Sequence, residues 1–123
     1  MIVNPTALEL IDAVTGFIEN CAAPQLKDRD AFLARVAVNA LAAVRREIEF
    51  GPAAEAAAVE RLKAILGRNG SFAELNEALT AGIQDGSIDA FRPDVAAHLK
   101  ASIIDQVRID QPNYSGLKAL TGG

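Results

Sequence analysis

RVAVNALAAVRRE, residues 35–47, carries the spacing of an amphipathic helix, with four polar residues set into a small apolar run. Successive helical residues turn by about 100°, which gathers one apolar stripe from Leu33, Val36, Ala37, Ala40, Leu41, Val44 and Ile48. Arg35, Asn39 and Arg46 line one margin of this stripe, while Arg45 points elsewhere. Glu47 falls inside the stripe, so we expect its carboxylate to be buried.

A carboxylate buried without a partner is costly or shifts its pKa, so Glu47 requires a partner. Its neighbour Arg46 faces a different direction, and the partner is expected on another helix or at a capped helix end. The candidates are Arg61, Arg92 and Arg108. In one interpretation Glu47, Asn39 and Arg35 form a structural network that fixes helix register. In the other, Arg35, Asn39 and Arg46 line a groove that binds a carboxylate or phosphate, because the planar donor fork of Arg suits such anions.

Start and stop signals recur along the rest of the chain and predict five helices. Thr6 and Ser71 each stand three residues before a Glu, the capping-box pattern of a helix start. We expect a last long helix to begin at Pro93, and helices to end at Pro24, Gly51-Pro52, Gly67 and Asp85-Gly86. No stretch alternates with period two over a useful length, so strands are not expected.

The predicted fold is therefore all-α: a compact bundle of about five helices, mostly with antiparallel neighbours. We expect a single domain over residues 1–123, with residues 113–123 as a surface tail.

Composition excludes several classes of function. The chain has 123 residues, half of them apolar, and a net charge of −4. It lacks the basic stripe that neutralises many phosphates, so nucleic acid is not an expected partner. No apolar run is long enough to span a bilayer and the N-terminus lacks signal-peptide features, so we expect a cytoplasmic protein without a membrane partner. Cys21, the single cysteine, excludes an intramolecular disulfide and is expected to be a small buried hydrophobe.

Asp94, His98 and Ser102 stand at four-residue steps, which invites comparison with a catalytic triad. Residues stacked along one helix face rarely provide a nucleophile, a base and an oxyanion donor in the required geometry. We therefore expect no catalytic residue here, with His98 at the margin of its helix. One histidine and scattered carboxylates also lack the ligand spacing of a metal site. No metal or other cofactor is expected, and an enzyme is the least favoured class.

Ile104 and Ile109 fall away from the main apolar stripe of the same helix, which runs through Val95, Leu99, Ile103 and Val107. Small bundles often use such leftover apolar positions for self-association. The sequence therefore predicts a homodimer through this surface.

Three segments carry a resemblance to a known family: RVAVNALAAVRREIEFGP (35–52), LNEALTAGIQDG (75–86) and HLKASIIDQVRIDQPNY (98–114). They resemble a family of small bacterial helical proteins of unknown function. Its members are often encoded beside phosphotransferases of the aminoglycoside/choline-kinase type and acyl-CoA dehydrogenases. The resemblance covers most of the chain and points again to Arg35, Asn39, Arg46 and Glu47. It implies an accessory role, with a phosphotransferase-like kinase or an acyl-CoA dehydrogenase as partner, and names no reaction.

Two functions from different classes fit these features. The favoured one is a non-catalytic accessory or interaction protein that works with such an enzyme. The alternative is a small-molecule module that binds an acyl-CoA or a phosphorylated compound at Arg35, Asn39 and Arg46, in a groove between helices.

Overall fold

The computed structural model describes residues 5–122 and places most of them in helices. The α-helices are α1 (Ala7–Phe17), α2 (Asp28–Leu66), α3 (Phe72–Gln84), α4 (Pro93–Asp110) and α5 (Leu117–Thr121). Between α1 and α2 the chain passes through a π-helical segment and a 3-10 turn, Ile18–Ala22 and Ala23–Gln25. No strand occurs within residues 5–122, and the predicted all-α fold with about five helices is confirmed.

α2 is one continuous helix of 39 residues, so the helix end predicted at Gly51-Pro52 is wrong. Gly51 does not adopt the positive φ that ends a helix at Gly67. Pro52 fits a helical φ, although it cannot donate to the Ile48 carbonyl and its ring crowds that carbonyl. The alanines after it favour helix.

The packing of the chain nevertheless changes at this point. Its contacts divide into two compact units, Met1–Phe50 and Gly51–Gly123, named here the N-terminal unit and the C-terminal unit. The single domain over residues 1–123 stays a prediction.

Both predicted capping boxes are present and set the starts of α1 and α3. The Thr6 hydroxyl accepts a hydrogen bond from the Glu9 amide at 3.2 Å, and the Glu9 carboxylate accepts one from the Thr6 amide at 3.3 Å. Ser71 and Glu74 form the same reciprocal pair at 3.1 and 2.9 Å. Each box satisfies two amides that a helix start leaves unbonded.

The buried apolar core lies in the C-terminal unit, where α2, α3 and α4 meet. Leu62, Leu75, Leu79 and Val95 are at most 2% exposed and pack as one cluster. Half-buried side chains surround them: Val59, Ile65, Leu66, Phe72, Ile83, Ile88 and Leu99. The predicted stripes of α3 and α4 thus supply most of this core.

The C-terminal part of α4 differs from the prediction. Ile109 is buried, so it cannot form an exposed dimer surface with Ile104. It stands 14 positions after Val95, which returns it to within about 40° of the Val95 direction. Ile103, predicted in the core stripe, is 53% exposed. The predicted surface tail contains the short helix α5.

The N-terminal unit buries far less apolar surface. Within residues 5–50, Ala34 is the one buried side chain. The predicted core stripe of α2 is therefore wrong here, because Leu33, Val36, Val44 and Ile48 are 40–49% exposed. Cys21, predicted to be buried, is also exposed. Two helices alone cannot enclose the apolar sides that both present.

Gly82 of α3 is buried where the following loop folds back on the helix. The Ile88 amide donates to the Gly82 carbonyl at 2.9 Å. A Cβ at position 82 would lie 2.4 Å from Cδ1 and 2.8 Å from Cγ1 of Ile88. The absence of a side chain at Gly82 therefore makes room for Ile88 beside the core.

Gly82→Ala is expected to lower the free energy of unfolding by about 1–2 kcal/mol, because overpacking against Ile88 outweighs the gain in helix propensity. In an Ile88→Ala background the clashing atoms are gone, and Gly82→Ala should then be neutral or stabilising. Urea unfolding of the unmodified protein, Gly82→Ala, Ile88→Ala and the double variant measures both effects. Equal losses in the two backgrounds would show that Ile88 is not the obstacle.

Candidate functional site

The four residues predicted as the site lie on α2, but the structure does not bury them together. Arg35 and Asn39 are exposed, and the guanidinium carbon of Arg35 stands 5.9 Å from the centre of the Phe32 ring, a cation–π distance. Arg46 is half-buried and already engaged, and Glu47 is exposed. The buried network around Glu47 is therefore wrong. Arg35, Asn39 and Arg46 share an arc of about 40°, and their anion groove stays a prediction.

The surroundings of Glu47 explain this error. On the helix, Glu47 points within about 40° of both Leu33 and Val36, so it does lie among apolar side chains. Those two residues are 45% and 46% exposed, and the whole set is open to solvent. Two of the arginines considered as partners bind elsewhere: Arg61 donates to His98, and Arg92 to Asp94.

Arg45 connects α1 to α2 through ion pairs. Its Nε and Nη2 donate to the two carboxylate oxygens of Asp12 at 2.8 and 3.3 Å, and its Nη1 donates to Glu49 at 2.6 Å. All three side chains are exposed enough for solvent to weaken these pairs. Asp12 and Arg45 lie at nearly equal chain distances from the start of α2, as expected for an antiparallel hairpin. In the sequence, the four-residue spacing of Arg45 and Glu49 could have indicated their ion pair.

Exposed apolar side chains cover one side of this hairpin, named here the apolar face. Ten of the thirteen exposed large hydrophobic residues of the described chain lie in the N-terminal unit. They are Leu10, Val14, Phe17, Leu26, Phe32, Leu33, Val36, Val44, Ile48 and Phe50. Nine of these ten side chains lie on α1 and α2, and Leu26 lies in the connection between the two helices.

A second polar pair is buried inside the C-terminal unit. His98 of α4 is 3% exposed, and its Nδ1 accepts a hydrogen bond from Nε of Arg61 at 3.0 Å. Nη2 of Arg61 is also buried and has no hydrogen-bond partner within residues 5–122. The prediction of His98 as a margin residue is therefore wrong. Its position three residues after Val95 was the missed signal, because that step stays on the buried side of a helix.

The direction of this hydrogen bond fixes the state of the histidine. Because Arg61 donates to Nδ1, the His98 ring is neutral, with its proton on Nε2. Burial, and then the charge of Arg61, lower the pKa of His98. Asp94 binds Arg92 at 2.6 and 2.9 Å. Asp94 and His98 thus belong to two separate hydrogen-bonded pairs.

Stability is expected to fall on acidification in two pH windows. Below about pH 6.5, the unfolded chain takes up a proton at His98 that the folded chain disfavours. Hydrogen bonds from Arg45, Ser71 and Arg92 lower the pKa values of Asp12, Glu74 and Asp94, respectively. The stabilisation from these carboxylates is present above about pH 4 and is lost as the pH falls through their lowered pKa values.

Urea unfolding across the acidic range measures both windows. His98→Leu should remove the upper window and leave the lower one, whereas Asp12→Asn should reduce only the lower one. If the upper window persists in His98→Leu, a group other than His98 causes it.

Within residues 5–122 no helix combines the length and the apolarity needed to cross a bilayer. In the same residues, no three His, Cys, Asp or Glu side chains gather closely enough to hold a metal ion.

Comparison with known proteins gives a family and no activity. No curated protein and no solved structure matches the chain. Residues 24–114 match the family described as "Domain of unknown function (DUF6285)". The matched part holds α2, α3 and α4, well over half of the chain. The chain therefore belongs to the DUF6285 family.

Proposed function

We propose that this protein is a non-catalytic accessory protein that acts by binding other proteins through the apolar face of its N-terminal unit. The supporting observation is the exposure of ten large apolar side chains in that unit. Soluble monomers rarely expose a contiguous apolar surface above a few hundred Å², and larger ones mark sites of interaction.

The size of the apolar face suits a protein partner. Ten side chains, roughly half exposed and each of about 150–200 Å², offer on the order of 800 Å², which each side of a standard protein interface contributes. Arg35 and Asn39 are exposed at one border of this surface, as in the polar rim of an interface.

The resemblance stated above supplies the class of partner: a phosphotransferase-like kinase or an acyl-CoA dehydrogenase in a bacterial cytoplasm. An accessory chain needs no catalytic group of its own.

Co-expression with a kinase and a dehydrogenase of these types from the same genome, followed by size-exclusion chromatography, tests the proposal. We expect co-elution with one of them. Phe17→Asp, on the apolar face, should abolish it, whereas Ile103→Asp, at a similarly exposed position of the C-terminal unit, should not. Independent elution at micromolar concentration would contradict the proposal.

One observation favours a second candidate, the binding of a small anion. Arg35, Asn39 and Arg46 share an arc of about 40° on α2, and guanidinium groups beside an amide suit an acyl-CoA or a phosphorylated compound. Such a ligand would raise the melting temperature by mass action. The rise should disappear in Arg35→Ala and persist in Arg68→Ala. No response to CoA esters and nucleotides would eliminate this candidate.

A further inference from the structure

We propose that the first occupant of the apolar face is a second copy of this chain, packed antiparallel along α2 about a twofold axis near residue 38. The inference rests on the proposed function, since both require the apolar face to bind protein. Its basis is a row of residues on α2, named here the seam. The seam consists of Arg29, Leu33, Val36, Ala40, Ala43, Glu47 and Phe50. Their alternating steps of four and three are the spacing by which two helices pack side by side.

The seam is open to solvent in the single chain. Leu33, Val36 and Phe50 are 45–52% exposed; Arg29, Ala40 and Glu47 are also exposed, and Ala43 is half-buried. The contact with α1 lies on another side of α2, where Ala34 is buried and Arg45 binds Asp12. Packing along the seam therefore leaves the α1–α2 hairpin intact.

The charges at the two ends of the seam set the direction of pairing. Arg29 and Glu47 stand 18 positions apart, about five helical turns, so they point in the same direction. A parallel pair would place Arg29 against Arg29 and Glu47 against Glu47, and like charges in contact are strongly unfavourable. An antiparallel pair centred at residue 38 instead places Arg29 of each copy against Glu47 of the other.

The sizes of the apolar side chains fit the same register. Leu33 then faces Ala43 of the second copy, and Val36 faces Ala40, so every apolar layer joins a large side chain to a small one. A shift by seven residues would place Glu47 against Val36, which buries a carboxylate without a cation. The register centred at residue 38 satisfies both the charges and the volumes.

This pairing also explains why Glu47 lies among apolar residues. Once the seam is covered, its carboxylate needs a cation, and Arg29 of the second copy supplies one. Leu10, Val14 and Phe17 of α1 are also exposed, but they lie outside the seam.

Charge reversal in the full chain tests the pairing. By sedimentation velocity at micromolar concentration we expect a dimer. Arg29→Glu and Glu47→Arg should each raise the dissociation constant about tenfold or more, because each sets like charges in contact. The double variant regenerates both ion pairs with exchanged signs and should restore the dimer. The matched exposed charges Arg68→Glu and Glu77→Arg should have no effect.

Disulfide trapping tests the direction separately. In a Cys21→Ser background, Leu33→Cys mixed with Ala43→Cys should cross-link on oxidation. Leu33→Cys alone should not, because the two copies of residue 33 lie about 15 Å apart along the axis, beyond disulfide reach. Rapid cross-linking of Leu33→Cys to itself would indicate a parallel pair and overturn the proposal.

The outcomes separate this inference from the proposed function. A chain that is monomeric at high micromolar concentration yet binds a kinase or dehydrogenase overturns the inference and leaves the proposed function standing. A monomer that binds neither contradicts both. If the chain dimerises but neither Arg29→Glu nor Glu47→Arg changes the dissociation constant, the seam is not the dimer interface.

Discussion

Leu62→Ala is expected to lower the free energy of unfolding by about 3–5 kcal/mol, the range for truncating a leucine in a closely packed core. Leu62 is 0% exposed and belongs to the cluster formed with Leu75, Leu79 and Val95. Removing its isobutyl group forfeits the transfer free energy of the lost atoms and leaves a cavity that α2, α3 and α4 cannot fully close.

Ile103→Ala is the matched control, because Ile103 is a large aliphatic residue in the same unit but 53% exposed. We expect a loss of about 1 kcal/mol or less. Urea unfolding with an unchanged m-value measures both losses. If the two truncations cost the same, the core of the C-terminal unit does not lie at Leu62.

The buried pair of His98 and Arg61 should respond unequally to removal of its two members. His98→Leu leaves Nε of Arg61 without an acceptor beside the already unpartnered Nη2, and we expect a loss of about 2–3 kcal/mol. Arg61→Met removes the hydrogen bond together with the unsatisfied donor and leaves only the neutral Nδ1 of His98 unbonded, so we expect a smaller loss of about 1–2 kcal/mol. The double variant should be more stable than His98→Leu, since neither polar group remains.

Urea unfolding of the two single variants and the double variant gives the coupling free energy between the residues. Because His98 is the only histidine, NMR also reports its titration without ambiguity. Its pKa should rise in Arg61→Met, since a neighbouring positive charge is removed, and should not change in the exposed control Arg68→Met. A larger loss in Arg61→Met than in His98→Leu would show that the unpartnered donors of Arg61 are not the costly part of this pair.

Local features of the fold could be predicted from the sequence because their partners are close along the chain. The capping boxes at Thr6 and Ser71 each join residues three positions apart. The stripe from Phe72 to Ile83 needed only helical periodicity. Gly51-Pro52 misled the prediction because a proline is compatible with helical φ, and the alanine-rich run after it continues the helix despite the cost of the proline.

Long-range features could not be predicted in the same way. A helical wheel shows in which direction Glu47 points, but not whether another helix covers that direction. The pairing of Arg61 with His98 joins residues 37 positions apart, so it depends on how α2 and α4 pack. Ile109 was misplaced because α4 is long enough for helical periodicity to return it to the buried side.

Amide hydrogen exchange at increasing protein concentration is the sharpest test of the apolar face. We expect the protection of residues 29–50 to rise with concentration, or on addition of a protein partner, because a second chain then covers the face. The protection of α3 should stay constant, since its core is enclosed within one chain. The contrary result has two parts. Residues 29–50 would be as protected as α3 in the most dilute sample, and their protection would not change at higher concentration or on addition of a protein partner. This result would show that the apolar face needs no partner.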